Sequence, residues 1–460
     1  MAQTVSRRTD ALVCRVLSTA KLRLKVLMRL PPSTQVDMAV PRLPDELIAL
    51  IVEHLVGLYD EKGRDDDGNR REAALASCCR VGRAFLPPAR ASLYQRFSIG
   101  FEPSREEERG VEGVDEDVAA DVLQCAWSTE RAYGLAMNPH LGLLIRKLDL
   151  NVDFRQSDSV DEYAPALALA TALRSAPRVV GIRLAATWGE FASSYFPPLF
   201  DVLIKVRPSL RRLDLDWSRF EDDVPAPQIP GIYPLLAALP LLEFLTLDQV
   251  HLPNLPVTFV APFSLKYLSI TNITGPALAA AFSSLTSNSS ASLERLVTDG
   301  LTKFDLSPFS ALNHFDVILA IDAQDFDDPA NFEREAHHIA RDNVGGMLAS
   351  AKPSLCVVEI IDGGRVMPAS AFNGAFFSSF PRTVVNLVME DLAFETAALE
   401  RLLERRPRAL PRLSLLVVQG ELWKAGPEEP WAANFRAAEV LLAFAGENST
   451  FLLSWIKDMS

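Results

Sequence analysis

One short pattern recurs ten times along most of the chain: apolar, two residues, apolar, one residue, apolar. The clearest copies are Ile145-x-x-Leu148-x-Leu150, Val179-x-x-Ile182-x-Leu184, Leu210-x-x-Leu213-x-Leu215, Leu242-x-x-Leu245-x-Leu247 and Leu265-x-x-Leu268-x-Ile270. Looser copies follow at Leu293-x-x-Leu296, Leu312-x-x-Phe315-x-Val317, Leu355-x-x-Val358-x-Ile360, Val384-x-x-Leu387-x-Met389 and Leu413-x-x-Leu416-x-Val418. The last two apolar positions of each copy stand two apart, so in a strand they point to one side. Between copies lie segments with helical spacing, at 164–175, 196–206, 233–239, 276–285 and 396–405. Strand then helix, always in that order, predicts an α/β chain with a parallel sheet on one side and helices on the other.

The pattern resembles the leucine-rich repeat, which implies a solenoid rather than a closed domain. The copies are irregular: Leu296 to Phe315 is 19 residues and Phe315 to Val358 is 43, against a usual period of about 20–29. The asparagine expected after the strand is mostly missing, although Asn151 sits in a suitable place. A doubly wound α/β enzyme is the alternative that strand–helix alternation leaves open. The predicted solenoid spans 138–430. Residues 431–460, with the apolar runs 440–442 and 451–453, are read as a cap over the last repeat. In the widest gap, the acidic loop 322–329 leads into a helix over 332–341 that is expected to overhang one rim. Gly345-Gly346 and Gly363-Gly364 read as turns.

Side chains flanking and separating the inward pair face the open side of such a sheet. Read down the repeats, the position before the pair holds Lys147, Arg212, Phe244, Tyr267, Arg295 and His314. The position between holds Asp149, Arg183, Asp214, Thr246, Ser269, Asp316 and Glu359. The position after holds Asn151, Asp216, Asp248, Thr271, Asp299 and Glu390. The expectation is a polarised groove that binds a protein through Phe244, Tyr267, Arg212, Asp214, Asp216 and Asp248, with the aromatic pair exposed as its anchor. The competing expectation is that these charges pair across strands, each pair worth about 0.2–1 kcal/mol.

A second organised stretch precedes the repeats, from residue 42 to residue 97. Pro44 and the carboxylates of Asp45 and Glu46 suit a helix start, and Leu47, Ile48, Ile51, Val52 and Leu55 form one apolar stripe. Leu75, Cys78, Cys79, Gly82 and Phe85 form another. Pro87-Pro88 ends that second helix and opens a third carrying Leu93 and Phe97. The opening Leu43, Pro44, Glu46 and Leu47, with Ile51, Leu55, Leu75, Cys78, Val81, Phe85 and Leu93-Tyr94, resembles an F-box of fungal type. That resemblance implies a three-helix module at 38–100 docking on the Skp adaptor, and through it on a cullin, in an SCF ubiquitin ligase. Its implied adaptor contacts are Leu43, Pro44, Ile48, Ile51, Leu55 and Val81. The charged segment 60–72 is a longer insertion between the first two helices than such modules carry. Together the two resemblances imply a non-catalytic substrate receptor, an N-terminal F-box followed by an irregular leucine-rich-repeat solenoid. A repeat scaffold with no ligase attached is the alternative.

The 460 residues carry a formal charge of −13, which disfavours nucleic-acid binding, since that rests on Lys and Arg neutralising phosphates. No apolar run is long enough for a membrane span. Five cysteines without a C-x-x-C pair argue against a disulfide framework or zinc site and suit the cytoplasm or nucleus. Residues 1–37 read as a basic disordered leader; a mitochondrial transit sequence or a true start at Met38 are alternatives. Residues 101–137 read as an acidic linker and a helical segment. No phosphate-binding loop, nucleophile elbow or dinucleotide fingerprint is present. His337-His338 diverge on a helix and read as surface residues, and no cofactor, metal or catalytic residue is expected.

Overall fold

The computed structural model describes residues 84–101, 132–153, 163–187, 196–206, 209–218, 229–319, 328–362, 367–390, 410–419 and 441–445, with helical positions at 48, 52, 75, 77 and 78. The chain divides into two compact units, Met1–Tyr94 and Gln95–Ser460.

In the first unit, Val52, Leu75 and Ala89 are buried together, and Cys78, Phe85 and Leu93 pack against them. The two sequence stripes and the third helix therefore share one small core. That helix, α1 (Leu86–Leu93), begins on the proline pair, which occupies its first positions, where a missing N–H costs nothing. Phe97 is not part of it, contrary to expectation: it lies in a strand of the second unit.

That second unit is built on a twelve-stranded sheet in which every strand lies beside its neighbours in sequence. Its strands are β1 (Arg96–Phe101), β2 (Lys147–Asp153), β3 (Gly181–Thr187), β4 (Arg212–Ser218), β5 (Phe244–Asp248) and β6 (Tyr267–Thr271). They continue as β7 (Arg295–Thr298), β8 (His314–Leu319), β9 (Val357–Asp362), β10 (Asn386–Glu390), β11 (Leu415–Gln419) and β12 (Leu441–Ala445). All pairings are parallel. Consecutive order without a switch point is solenoidal stacking, not the doubly wound arrangement. The mixed α/β, leucine-rich-repeat-like reading is thus the observed one. It starts one strand earlier than the sequence suggested and continues through β12, where a cap was expected.

The register follows the motif. Its second apolar residue falls on one transverse row, Leu148, Ile182, Leu213, Leu245, Leu268, Leu296, Phe315, Val358, Leu387 and Leu416, all buried. The first apolar residue, three positions earlier, is buried in every copy from Ile145 to Leu413. Each strand entry from β2 to β11 is fixed the same way: two consecutive N–H groups donate to one carbonyl of the preceding repeat. Glu243 and Phe244 donate to Arg211, Lys266 and Tyr267 to Glu243, and Glu294 and Arg295 to Lys266.

Helices cover the apolar side. They are α2 (Pro139–Gly142), α3 (Ala164–Ser175), α4 (Phe196–Val206), α5 (Ile232–Ala237), α6 (Leu278–Leu285), α7 (Pro329–His338), α8 (Gly345–Ser350) and α9 (Gly374–Phe377). In α3 the buried Ala166, Ala168, Ala170 and Ala172 leave no bulk to hold the helix off its neighbours. Trp217 at the end of β4 stacks on Phe196 of α4, with ring centroids 4.8 Å apart. The later part of the helical stretch in the widest gap is core. Asp328 caps α7 by accepting from Ala330 N–H, and a π-helical segment, Ile339–Val344, joins α7 to α8. Ala336, Ile339, Ala340, Val344, Met347 and Leu348 are all buried in the main core. Gly345-Gly346, read as a turn, starts α8; a Cβ on Gly346 would stand 2.7 Å from Lys303 Cε. The expected helix at 396–405, the acidic loop 322–327 and Gly363-Gly364 lie outside the described residues. Among the described residues no helix is long and apolar enough to cross a membrane.

The inward row predicts its own sensitivity. Leu245→Ala leaves a cavity among fully buried neighbours and is expected to cost about 2–5 kcal/mol, read by denaturant unfolding; a loss under about 1 kcal/mol would show that this row is not packed core.

Candidate open-face binding site

Strand alternation puts the residues between the inward pairs on the opposite side of the sheet. The register lines them up as the sequence columns foresaw. One transverse row runs Arg96, Lys147, Gly181, Arg212, Phe244, Tyr267, Arg295 and His314; the next runs Ser98, Asp149, Arg183, Asp214, Thr246, Ser269, Val297, Asp316 and Glu359. Asp216 and Asp248 are register partners one row further on. Asp299 does not join that row, because β7 ends at Thr298.

The six expected target-binding residues therefore share one face, but its charges are already engaged. Arg212 Nε donates to Asp214 Oδ2 at 2.7 Å, Arg183 pairs with Asp216, and Arg96 pairs with Asp149. Asp248 accepts from Thr271 Oγ1 at 2.7 Å and from Asn272 Nδ2 at 3.2 Å. The Arg212–Asp214 pair lies within β4; the others are cross-strand pairing, the competing expectation. Burial opposes the charge of Arg183, but the hydrogen bond and charge of Asp216, then Asp149 and Asp214, outweigh it and raise its pKa. Asp248 is shifted up mainly by burial, against the hydrogen bonds of Thr271 and Asn272.

The aromatic anchor is half-buried rather than exposed. Phe244 and Tyr267 meet with ring centroids 6.4 Å apart, and the Arg295 guanidinium lies 6.0 Å from the Tyr267 ring centre. Burial raises the Tyr267 phenol pKa, with Arg295 opposing. The pair forms an apolar island between charged residues.

No protein-family model matches the sequence, and no curated protein matches it. Among solved structures, the leucine-rich repeat-containing protein LegL7 from Legionella pneumophila is similar at 14% identity and a TM-score of 0.39, over 77% of this chain and 91% of that one. A likeness of that size adds nothing to the strand order and buried rows described above.

Of the expected adaptor contacts, Ile48 is helical and only 2% exposed. Leu43, Pro44, Ile51, Leu55 and Val81 lie outside the described residues. His337 and His338 do not share a ligand: His337 contacts Ser370 Oγ at 3.1 Å and His338 contacts Asp342 at 3.0 Å.

The sequence reading did not single out His314, Asp316 and Glu359 as a group. Their donor atoms lie within 4.8 Å of one another. The available signal was His-x-Asp in one strand, whose members share a face, plus an acid at the matching position of the next repeat. Burial opposes protonation of His314, but Asp316 and Glu359 outweigh it and raise its pKa, with Arg295 opposing.

A separate buried acid sits at the exit of β7. Asp299 accepts from the N–H groups of Asn272 and Leu301, both at 2.9 Å, and burial still pushes its carboxyl up to about 6 from an ordinary 3.8. Between those values the folded chain holds a proton that the unfolded chain has lost, so this contribution to stability falls as pH rises through the window. Asp299→Asn, which cannot ionise, is expected to flatten that part of the thermal-stability profile against pH. An unaltered slope would assign the titration to another group.

Proposed function

We propose that the chain is a protein-binding repeat scaffold whose open sheet face receives the target. The observation that carries this reading is the unbroken alignment of non-core side chains across consecutive parallel strands, with half-buried Phe244 and Tyr267 between paired charges. A large apolar contact ringed by polar groups is the usual composition of a binding hot spot. Nothing in this role requires a catalytic residue.

The finer proposal is that the scaffold serves as the substrate receptor of an SCF-type ubiquitin ligase. Its support is the F-box-like opening at Leu43, Pro44, Glu46 and Leu47, and the two apolar stripes, whose members Val52 and Leu75 are buried with Ala89 of α1. In that role Leu43, Pro44, Ile51, Leu55 and Val81 would form the adaptor surface. Transfer would follow from holding the target close to a ubiquitin-charged enzyme elsewhere in the complex.

Two measurements separate these levels. Affinity capture of the full chain followed by mass spectrometry is expected to recover a defined protein set that Phe244→Ala/Tyr267→Ala loses; recovery of the same set would remove the open face as the target site. Capture of a Skp adaptor is expected from the wild type and not from Leu43→Ala/Pro44→Ala. Equal adaptor recovery from both, or from neither, leaves the scaffold without the ligase.

A further inference from the structure

The geometry points to a site for a divalent first-row transition ion, best matched by Zn2+, held on the open face by His314 Nε2, Asp316 Oδ1 and a Glu359 carboxylate oxygen. It stands whether or not the chain belongs to a ligase.

The fold brings these three groups together by two elementary rules. His314 and Asp316 are two apart on β8, so they share a face, and Asp316 is the register partner of Glu359 on β9. His314 Nε2 lies 2.7 Å from Asp316 Oδ1 and 3.5 Å from a Glu359 carboxylate oxygen. Zinc takes imidazole nitrogen and carboxylate oxygen at about 2.0–2.2 Å, which sets tetrahedral donors about 3.4 Å apart; side-chain shifts of up to about an ångström would place all three on one ion.

Two further observations favour a ligand over a closed ion-pair network. First, the Asp316 side chain is only 3% exposed, yet its Oδ1 makes no hydrogen bond to protein, and neither does His314 Nε2. These atoms are in close contact, but off the direction in which the ring N–H would point. A shared cation in place of the ring proton would give both atoms a partner in line. Second, Arg295 engages the other oxygen of the same carboxylate: its Nε is 2.7 Å and its Nη2 2.5 Å from Asp316 Oδ2. That orients Oδ1 toward the imidazole, as outer partners orient ligating carboxylates in metal sites. One guanidinium charge also faces two carboxylates, since Arg295 Nη2 stands 3.8 Å from Glu359.

One imidazole with two carboxylates suits zinc and its neighbours in the series better than calcium or magnesium, which favour all-oxygen shells. Three protein donors leave a fourth position for water or for a carboxylate or imidazole of a protein lying on the face.

The test uses the full chain, stripped with a chelator, then titrated with Zn2+ by calorimetry and with Co2+ by visible absorption at neutral pH. The expected result is one saturable equivalent, a Co2+ spectrum with imidazole ligation, and at least about tenfold weaker binding in His314→Gln, Asp316→Asn and Glu359→Gln. His314 is the least buried of the three, so its variant serves even where a carboxylate variant fails to fold, as judged by circular dichroism. In the unaltered chain, Co2+ should also broaden the His314 ring resonances. No saturable uptake, uptake undiminished by His314→Gln, or unbroadened ring signals would each overturn the site.

Discussion

Parallel strands have no hairpin to set their register, so something at each repeat must do it. Here it is a three-centre contact. Two successive N–H groups at each strand entry converge on one carbonyl of the repeat before, from Gln95, which receives Arg146 and Lys147, to Val385, which receives Ser414 and Leu415. The contact recurs at every junction from β1 to β11 and does not depend on repeat length. A 43-residue excursion between Phe315 and Val358 therefore returns to the same register as a 19-residue one between Leu296 and Phe315. Helices differ widely between repeats because they need only cover the apolar side, whereas a one-residue slip at a strand entry would expose the leucine row.

Fixed register makes the open face deterministic, with an energetic consequence. Asp149, Asp316 and Glu359 are buried there because flanking side chains and adjacent strands close over them. A carboxylate removed from water without a partner costs several kcal/mol, so each must find an opposite charge within its own neighbourhood. Arg96 serves Asp149, while Arg295 and His314 crowd around Asp316 and Glu359. The charged columns visible in the sequence are thus first an internal requirement of the sheet.

The repeat strands were legible because two periods coincide: spacing of two within the strand and a third apolar residue three positions earlier. Both are local, and both mark core positions. Helices 164–175 and 196–206 were legible to the residue for the same reason. What failed was whatever local pattern leaves undetermined. The β1 sequence, Arg96–Phe101, follows a proline-started helix closely, and its Phe97 continues a helical stripe; only pairing with β2 makes it a strand. Gly345-Gly346 has turn composition but lies in a helix, close against Ser379 at Gly345 and against the end of the Lys303 side chain at Gly346. The contact of Asp316 with Glu359 joins residues 43 apart, and no window short enough to show periodicity contains both.

The same pairing decides how this face can recognise anything. A target carboxylate or guanidinium approaching Arg212 or Asp216 must displace a partner already in place, and exposed pairs of this kind are worth only about 0–1 kcal/mol. Exchange of one pair for another is nearly neutral, so the charges can reject a mismatched partner more readily than they can hold a matched one. Net affinity has to come from surface that folding leaves partly uncovered. On β5 and β6 that is Phe244 and Tyr267: adjacent in register, in ring contact with each other, and still half open. Covering what remains of two aromatic side chains adds favourable apolar burial at about 25 cal/mol per Å2 without breaking an ion pair. Placed on neighbouring strands near the middle of the sheet, they are where a bound chain gains most and displaces least.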